Sequence, residues 1–190
     1  MNKTKKGHLG KALLMGTAIV SLSALESEVH AQVSGSGLAS AVVLDPITVT
    51  NGQVLHFGSF TVPATGNIVI GTDGTVTPTG VRRITGGANP AVNGLVDVSG
   101  SKNTDMSFTF AATTAVLTNG TGDTMVVGSF LMEDKSGVDI AAPGPGTIEI
   151  TATATTITAV QVPVGATLTV ADPAQGAGTY TGTYTVSVDY

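Results

Sequence analysis

The sequence predicts an all-β protein, an antiparallel β-sandwich of immunoglobulin-like or pilin-like form. Three observations predict it. From Gln32 onward the chain is built of Thr, Val, Ala, Gly and Ile, which suit a pleated, half-buried surface and the turns between strands. Apolar and polar residues alternate in short runs spaced about ten residues apart. No run after residue 31 carries the 3.6-residue period of an amphipathic helix.

The first element is expected to be removed. Lys3, Lys5, Lys6 and Lys11 make a positive start, and Ala12 to Leu25 is apolar or small apart from Thr17, Ser21 and Ser23. Val29 and Ala31 then stand at the recognition positions of signal peptidase, which predicts a leader over 1–31 cut before Gln32. Its apolar run is shorter than the roughly 20 residues that cross a bilayer, and no later run is a second candidate. The expected product is a bacterial secreted protein of the periplasm or cell surface, without a membrane span.

Residues 32–41 are rich in Ser, Gly and Ala and are predicted to be a flexible arm. Residues 42–190 are predicted to be a single sandwich domain. Ile47 to Thr50 alternates and ends at the turn pair Asn51-Gly52. Val54 to Val62 reads as a strand containing Gly58, and Asn67 to Gly71 as a short strand before Thr72-Asp73-Gly74. Gly94 to Ser99 follows, then Asp105 to Ala112 with Met106, Phe108 and Phe110 on one face. Thr124 to Met132 is apolar. Thr147 to Val162 reads as one long strand with Ile148, Ile150, Ala152 and Ala154 on one face. Ala166 to Val170 precedes Asp172-Pro173, and Gly178 to Tyr190 is the last run.

Charge and composition exclude several function classes. Four of the eight basic residues and two of the thirteen acids lie in the leader, so the remainder has four cations against eleven acids, a net charge of −7. Such a surface has no electrostatic footprint for nucleic acid or anionic lipid. There is no cysteine, so neither a disulfide nor thiolate ligation is available. Beyond the leader the one histidine is His56, which removes multi-histidine metal sites. No cofactor is expected.

The segments also occur in a recognisable order. Asp45-Pro46-Ile47-Thr48-Val49 leads to Leu55-His56-Phe57-Gly58-Ser59-Phe60, then Gly94 to Gly100, Ser107-Phe108-Thr109, Val164 to Leu168, and the closing run from Gly178 to Tyr190. This order resembles the bacterial domain-of-unknown-function family 4402, secreted β-rich proteins of which several occur in fimbria-like settings. The closing run is also similar to that of spore-coat-U-type and chaperone–usher pilin subunits, although this chain lacks the disulfide common in pilins. The resemblance implies a secreted, fimbria-like subunit.

Two strands are candidates for assembly. In the closing run Tyr180, Gly182, Tyr184, Val186, Val188 and Tyr190 share one face. It is either the last core strand or an edge that a chaperone or neighbouring subunit pairs with. Near the start, Leu38 to Thr50 is expected to pair with a sheet edge, its own or another subunit's. Val42 and Leu44 lie on one face of it, and Ile47 and Val49 lead into the domain. Pro46 lacks an N–H and suits an edge or a strand start.

Catalytic signals are weak. His56 lies between Leu55 and Phe57 and reads as a strand histidine. Glu133-Asp134, beside Lys135-Ser136-Gly137, reads as a solvated turn rather than half of a carboxylate pair. Asn119-Gly120-Thr121-Gly122-Asp123 has too few carboxylates for calcium and reads as a turn. Arg82-Arg83 reads as solvated, and five phenylalanines without Trp make no sugar-stacking platform. The expected function is therefore a non-enzymatic structural subunit of a cell-surface or fimbria-like assembly, joined by strand edge pairing. Its expected partners are other copies of itself or periplasmic chaperone and usher-type proteins. The alternative is a monomeric secreted binding module or adhesin.

Overall fold

The polar–apolar alternation folds as strands, and no helix occurs among the described residues. The structure, a computed structural model, describes residues 36–149 and 159–190. The leader over 1–31 therefore lies outside the described residues. Val42–Tyr190 form one compact unit.

Among the described residues, fifteen strands build this unit. The first seven are β1 (Thr48–Gln53), β2 (His56–Phe57), β3 (Ser59–Thr61), β4 (Gly66–Ile70), β5 (Val76–Thr79), β6 (Arg82–Ile84) and β7 (Ala91–Val92). Next come β8 (Gly94–Ser99), β9 (Asp105–Phe110), β10 (Thr114–Thr118) and β11 (Thr124–Glu133). The last are β12 (Asp139–Ala141), β13 (Gly146–Glu149), β14 (Val160–Val170) and β15 (Val186–Asp189). All pairings are antiparallel.

The large, curled sheet is organised around two long strands. β14 pairs with β11 along one edge; along the other, its first half pairs with β8 and its second half with β4. β11 likewise pairs with β10 in its first half and with β12 in its second. β1 closes one end of this sheet against β8, and β5 lies beyond β4. A three-stranded layer, ordered β13-β9-β15, forms the second face of the sandwich. Two short ribbons, β2–β7 and β3–β6, complete it.

One core lies between the layers. Val162, Val164, Ala166, Leu168 and Val170 of β14 alternate inward, and Met106, Phe108, Phe110 and Ile148 meet them from the three-stranded layer. Each large buried side chain contributes about 1.5–3 kcal/mol. In β11 the alternation changes phase: Met125 and Val127 are buried, then Phe130 and Met132. The register against β14 shifts between Gly128 and Leu131, and Ser129 sits at φ +47°. This is a β-bulge, whose extra residue returns Phe130 and Met132 to the core. Without it the apolar set would face water.

Four expected elements are corrected. Asn51-Gly52 closes no hairpin: β1 runs through it as an irregularity against β8, because its partner strand is remote in sequence. Val54 to Val62 is two strands, divided at Gly58, whose φ of +81° breaks the extended chain and passes it from β7 to β6. Thr147 and Val162 belong to different sheets, so they do not share one strand. Ile150, Ala152 and Ala154 lie outside the described residues. Val160 to Val170 is instead a single strand across Pro163, which is tolerated because the ladder to β11 ends at Val164. Finally, Gly178 to Tyr190 is regular only over β15, with one bridge between Thr181 and Thr118.

Candidate functional site

The three-stranded layer covers only part of the large sheet, and a cleft of about 920 Å3 opens beside it. Its floor comes from the large sheet: Val96 on β8, Leu168 on β14, Val127 and Phe130 on β11, and Leu117 on β10. One wall is Val54 to Val62, carrying β2 and β3; the other is the chain from Gln175 to Tyr184. Val49 on β1 and Val186 on β15 also line it. Alternation explains the lining, since each strand sends its apolar side chains to the concave face.

Aromatic rings hold the wall to the floor. Phe110 stacks on Phe130 with centroids 5.2 Å apart, and Tyr184 tilts against Phe130 at 5.3 Å. Such pairs add about 0.5–1.5 kcal/mol beyond their burial. Burial raises the Tyr184 hydroxyl above its ordinary value of 10.0, because the phenolate would lose hydration. Gly182 packs still closer: a Cβ there would stand 2.3 Å from the Val116 carbonyl oxygen.

Tyrosine hydroxyls tie down the wall and the strand that follows it. The Tyr180 hydroxyl donates to the Gly176 carbonyl at 2.8 Å and accepts from Asn119 Nδ2 at 3.0 Å. The Tyr190 hydroxyl accepts from the Ser101 N–H at 2.7 Å and donates to the Asp45 carbonyl. The Asp45 N–H in turn donates to Ser101 Oγ at 2.6 Å.

The structure distributes the candidate assembly residues unevenly. Tyr180, Tyr184, Val186 and Val188 pack against the core, while Tyr190 is 41 % exposed. Ile47 packs on the core and Val49 sits exposed on β1. Val42 is 86 % and Val43 93 % exposed; Leu38 and Leu44 are exposed too, and residues 36–47 form no strand. Thr48 to Thr50 pair with Asp97 to Ser99, so that part of the expected edge segment belongs to the protein's own sheet.

The weaker candidates fall in turns and short strands. His56 is half-buried, and its Nδ1 accepts from the Gly58 N–H at 2.9 Å. Asp134 Oδ1 accepts from the Ser136 and Val138 N–H groups in the turn joining β11 to β12. Asn119 Oδ1 accepts from the Thr121 and Asp123 N–H groups, and its Nδ2 donates to Asp123 Oδ2. Arg82 and Arg83 lie on β6 opposite Thr61 and Phe60. A smaller hollow of about 330 Å3 is polar, with Lys135 paired to Asp105 and 3.8 Å from Glu149. These neighbours raise the Lys135 pKa, the Asp105 hydrogen bond most. No group of three or more His, Cys, Asp or Glu among the described residues is placed to hold a metal. No helix among them is long and apolar enough to cross a membrane.

A family described as a domain of unknown function, DUF4402, matches residues 47–190. The chain belongs to this family. The match begins at Ile47, beside the first strand, and runs to Tyr190. It therefore contains the whole floor and both walls of the cleft, and Leu38, Val42 and Leu44 precede it. Neither a curated protein nor a solved structure matches the chain.

Sequence reasoning missed β10, and with it Leu117 in the floor. The signal was present, because Ala115 and Leu117 alternate with Thr114, Val116 and Thr118. The phase change from Met125 and Val127 to Phe130 and Met132 was likewise the mark of the bulge.

Proposed function

We propose that this chain is a non-enzymatic, secreted structural subunit of a cell-surface or fimbria-like assembly, its copies joined by β-strand pairing. The observation that carries the reading is the exposed run Leu38-Ala39-Ser40-Ala41-Val42-Val43-Leu44. It is apolar, uncharged and outside any strand, so water is a poor solvent for it and a sheet edge a good one. Self-association or a periplasmic chaperone would cover it. The leader expected over 1–31 supports export to the periplasm or surface.

A second reading is a monomeric binding module or adhesin. The cleft favours it, because its volume lies in the range of small-molecule sites. Sedimentation of the exported protein, with and without residues 32–44, separates the two. The subunit reading expects oligomers that fall to folded monomers on deletion. Sharp monomers from both proteins would refute it and leave the binding module.

A further inference from the structure

We propose that the cleft is the acceptor for residues 38–44 of a second copy, which add a strand beside β15. The proposal deepens the assembly reading and rests on it. Among the described residues, β15 is the last strand of its layer and is bordered by β9 alone. Among the described residues, 182–184 make no hydrogen bond to other backbone. Val186, at the start of β15, lines the cleft. An added strand there extends the three-stranded layer along the cleft, against the partly buried Leu55, Phe60, Ala115 and Leu117 that line it, and its main chain pairs with the backbone of 182–184.

The occupant fits by chemistry. Leu38, Ser40, Val42 and Leu44 fall on one face of an extended chain, and Ala39, Ala41 and Val43 on the other. Seven residues span ~23 Å at ~3.3 Å each, and the facing wall from Tyr180 to Val186 is also seven residues long. The segment contains no charge to desolvate in a mainly apolar cleft, and no Pro to interrupt pairing.

A second copy is favoured over the same chain because Asp45 is fixed at both polar groups. Its N–H donates to Ser101 Oγ and its carbonyl accepts from the Tyr190 hydroxyl. Preceding Pro46, Asp45 is also biased toward extended geometry, which disfavours a reversal at that residue.

The test uses the cysteine-free mature chain, residues 32–190. Ala39→Cys, Ala41→Cys and Val43→Cys are each mixed with Thr183→Cys, whose side chain is exposed beside the cleft, and oxidised. The expected result is a mixed disulfide dimer at one of the three positions, in excess of what either variant forms alone. Val42→Asp, at an exposed and therefore fold-neutral site, should lower that yield at least about tenfold by placing a charge on the apolar floor. A peptide of residues 36–46 in excess should dissolve the oligomers and displace an apolar fluorophore from the cleft. Oligomers without any mixed disulfide overturn the acceptor site and leave the assembly reading standing. Absence of oligomers overturns both. A fluorophore that binds and resists the peptide also overturns the proposal, assigning the cleft to a small apolar ligand.

Discussion

Tyr190→Phe isolates the hydroxyl that joins the end of β15, the Ser101 turn and the approach to β1. The substitution keeps the ring and removes one acceptor and one donor. The Ser101 N–H, on a buried residue, loses its acceptor, and the Asp45 carbonyl loses its donor. A buried donor left unmade costs about 1–3 kcal/mol, whereas the more exposed Asp45 carbonyl regains water at little cost. The expected destabilisation is therefore about 2 kcal/mol. For a domain of this size roughly 2–4 °C of Tm accompanies each kcal/mol, so the midpoint should fall by roughly 4–8 °C. Thermal unfolding followed by circular dichroism measures the fall, and amide exchange at Ser101 reports the local loss. An unchanged midpoint together with unchanged Ser101 exchange would refute the bond and, with it, the fixed course of Asp45 on which the acceptor site depends.

Other perturbations test the core and the wall. Gly146→Ala would place a Cβ 1.8 Å from Met132 Cε inside the core, costing about 1–3 kcal/mol in urea unfolding. Adding Met132→Ala should make the double variant more stable than the sum of the two single effects, and strict additivity would refute the contact. Ser129→Gly should be neutral or stabilising by up to ~1 kcal/mol, because glycine adopts the positive φ of the bulge without strain; clear destabilisation would refute the bulge conformation. Tyr184 predicts a pH dependence of definite sign. Its folded pKa is raised, so above pH 10 the unfolded state sheds its proton first; this stability is fully present below that pH and lost as pH rises through the folded value. Tyr184→Phe should flatten the alkaline decline measured by unfolding at pH 9 to 11, and an unaltered slope would contradict the burial of the hydroxyl.

Local patterning in the sequence located several of the strands, β8, β9 and β11 among them, and marked which of their faces are apolar. Met106, Phe108 and Phe110 on β9, and Val162 to Val170 on β14, alternate as the pleat requires, and this alternation is a property of neighbouring residues alone. Composition determined the absence of disulfides, and the ordered segments from Ile47 to Tyr190 carried the family. Partner choice was decided only by the tertiary structure. That Thr147 and Val162 belong to different sheets, that Asn51-Gly52 is an irregular stretch of strand and not a hairpin, and that the closing run leaves β10 at Thr181 to join β9 at Val186 all depend on strands distant in sequence. The candidate site was hidden for the same reason. The alternating pattern of Leu117, Val127, Phe130 and Leu168 marks each as facing inward, but which distant segments come to flank that face and leave a cleft between them is set by strand pairing, and no local period encodes it.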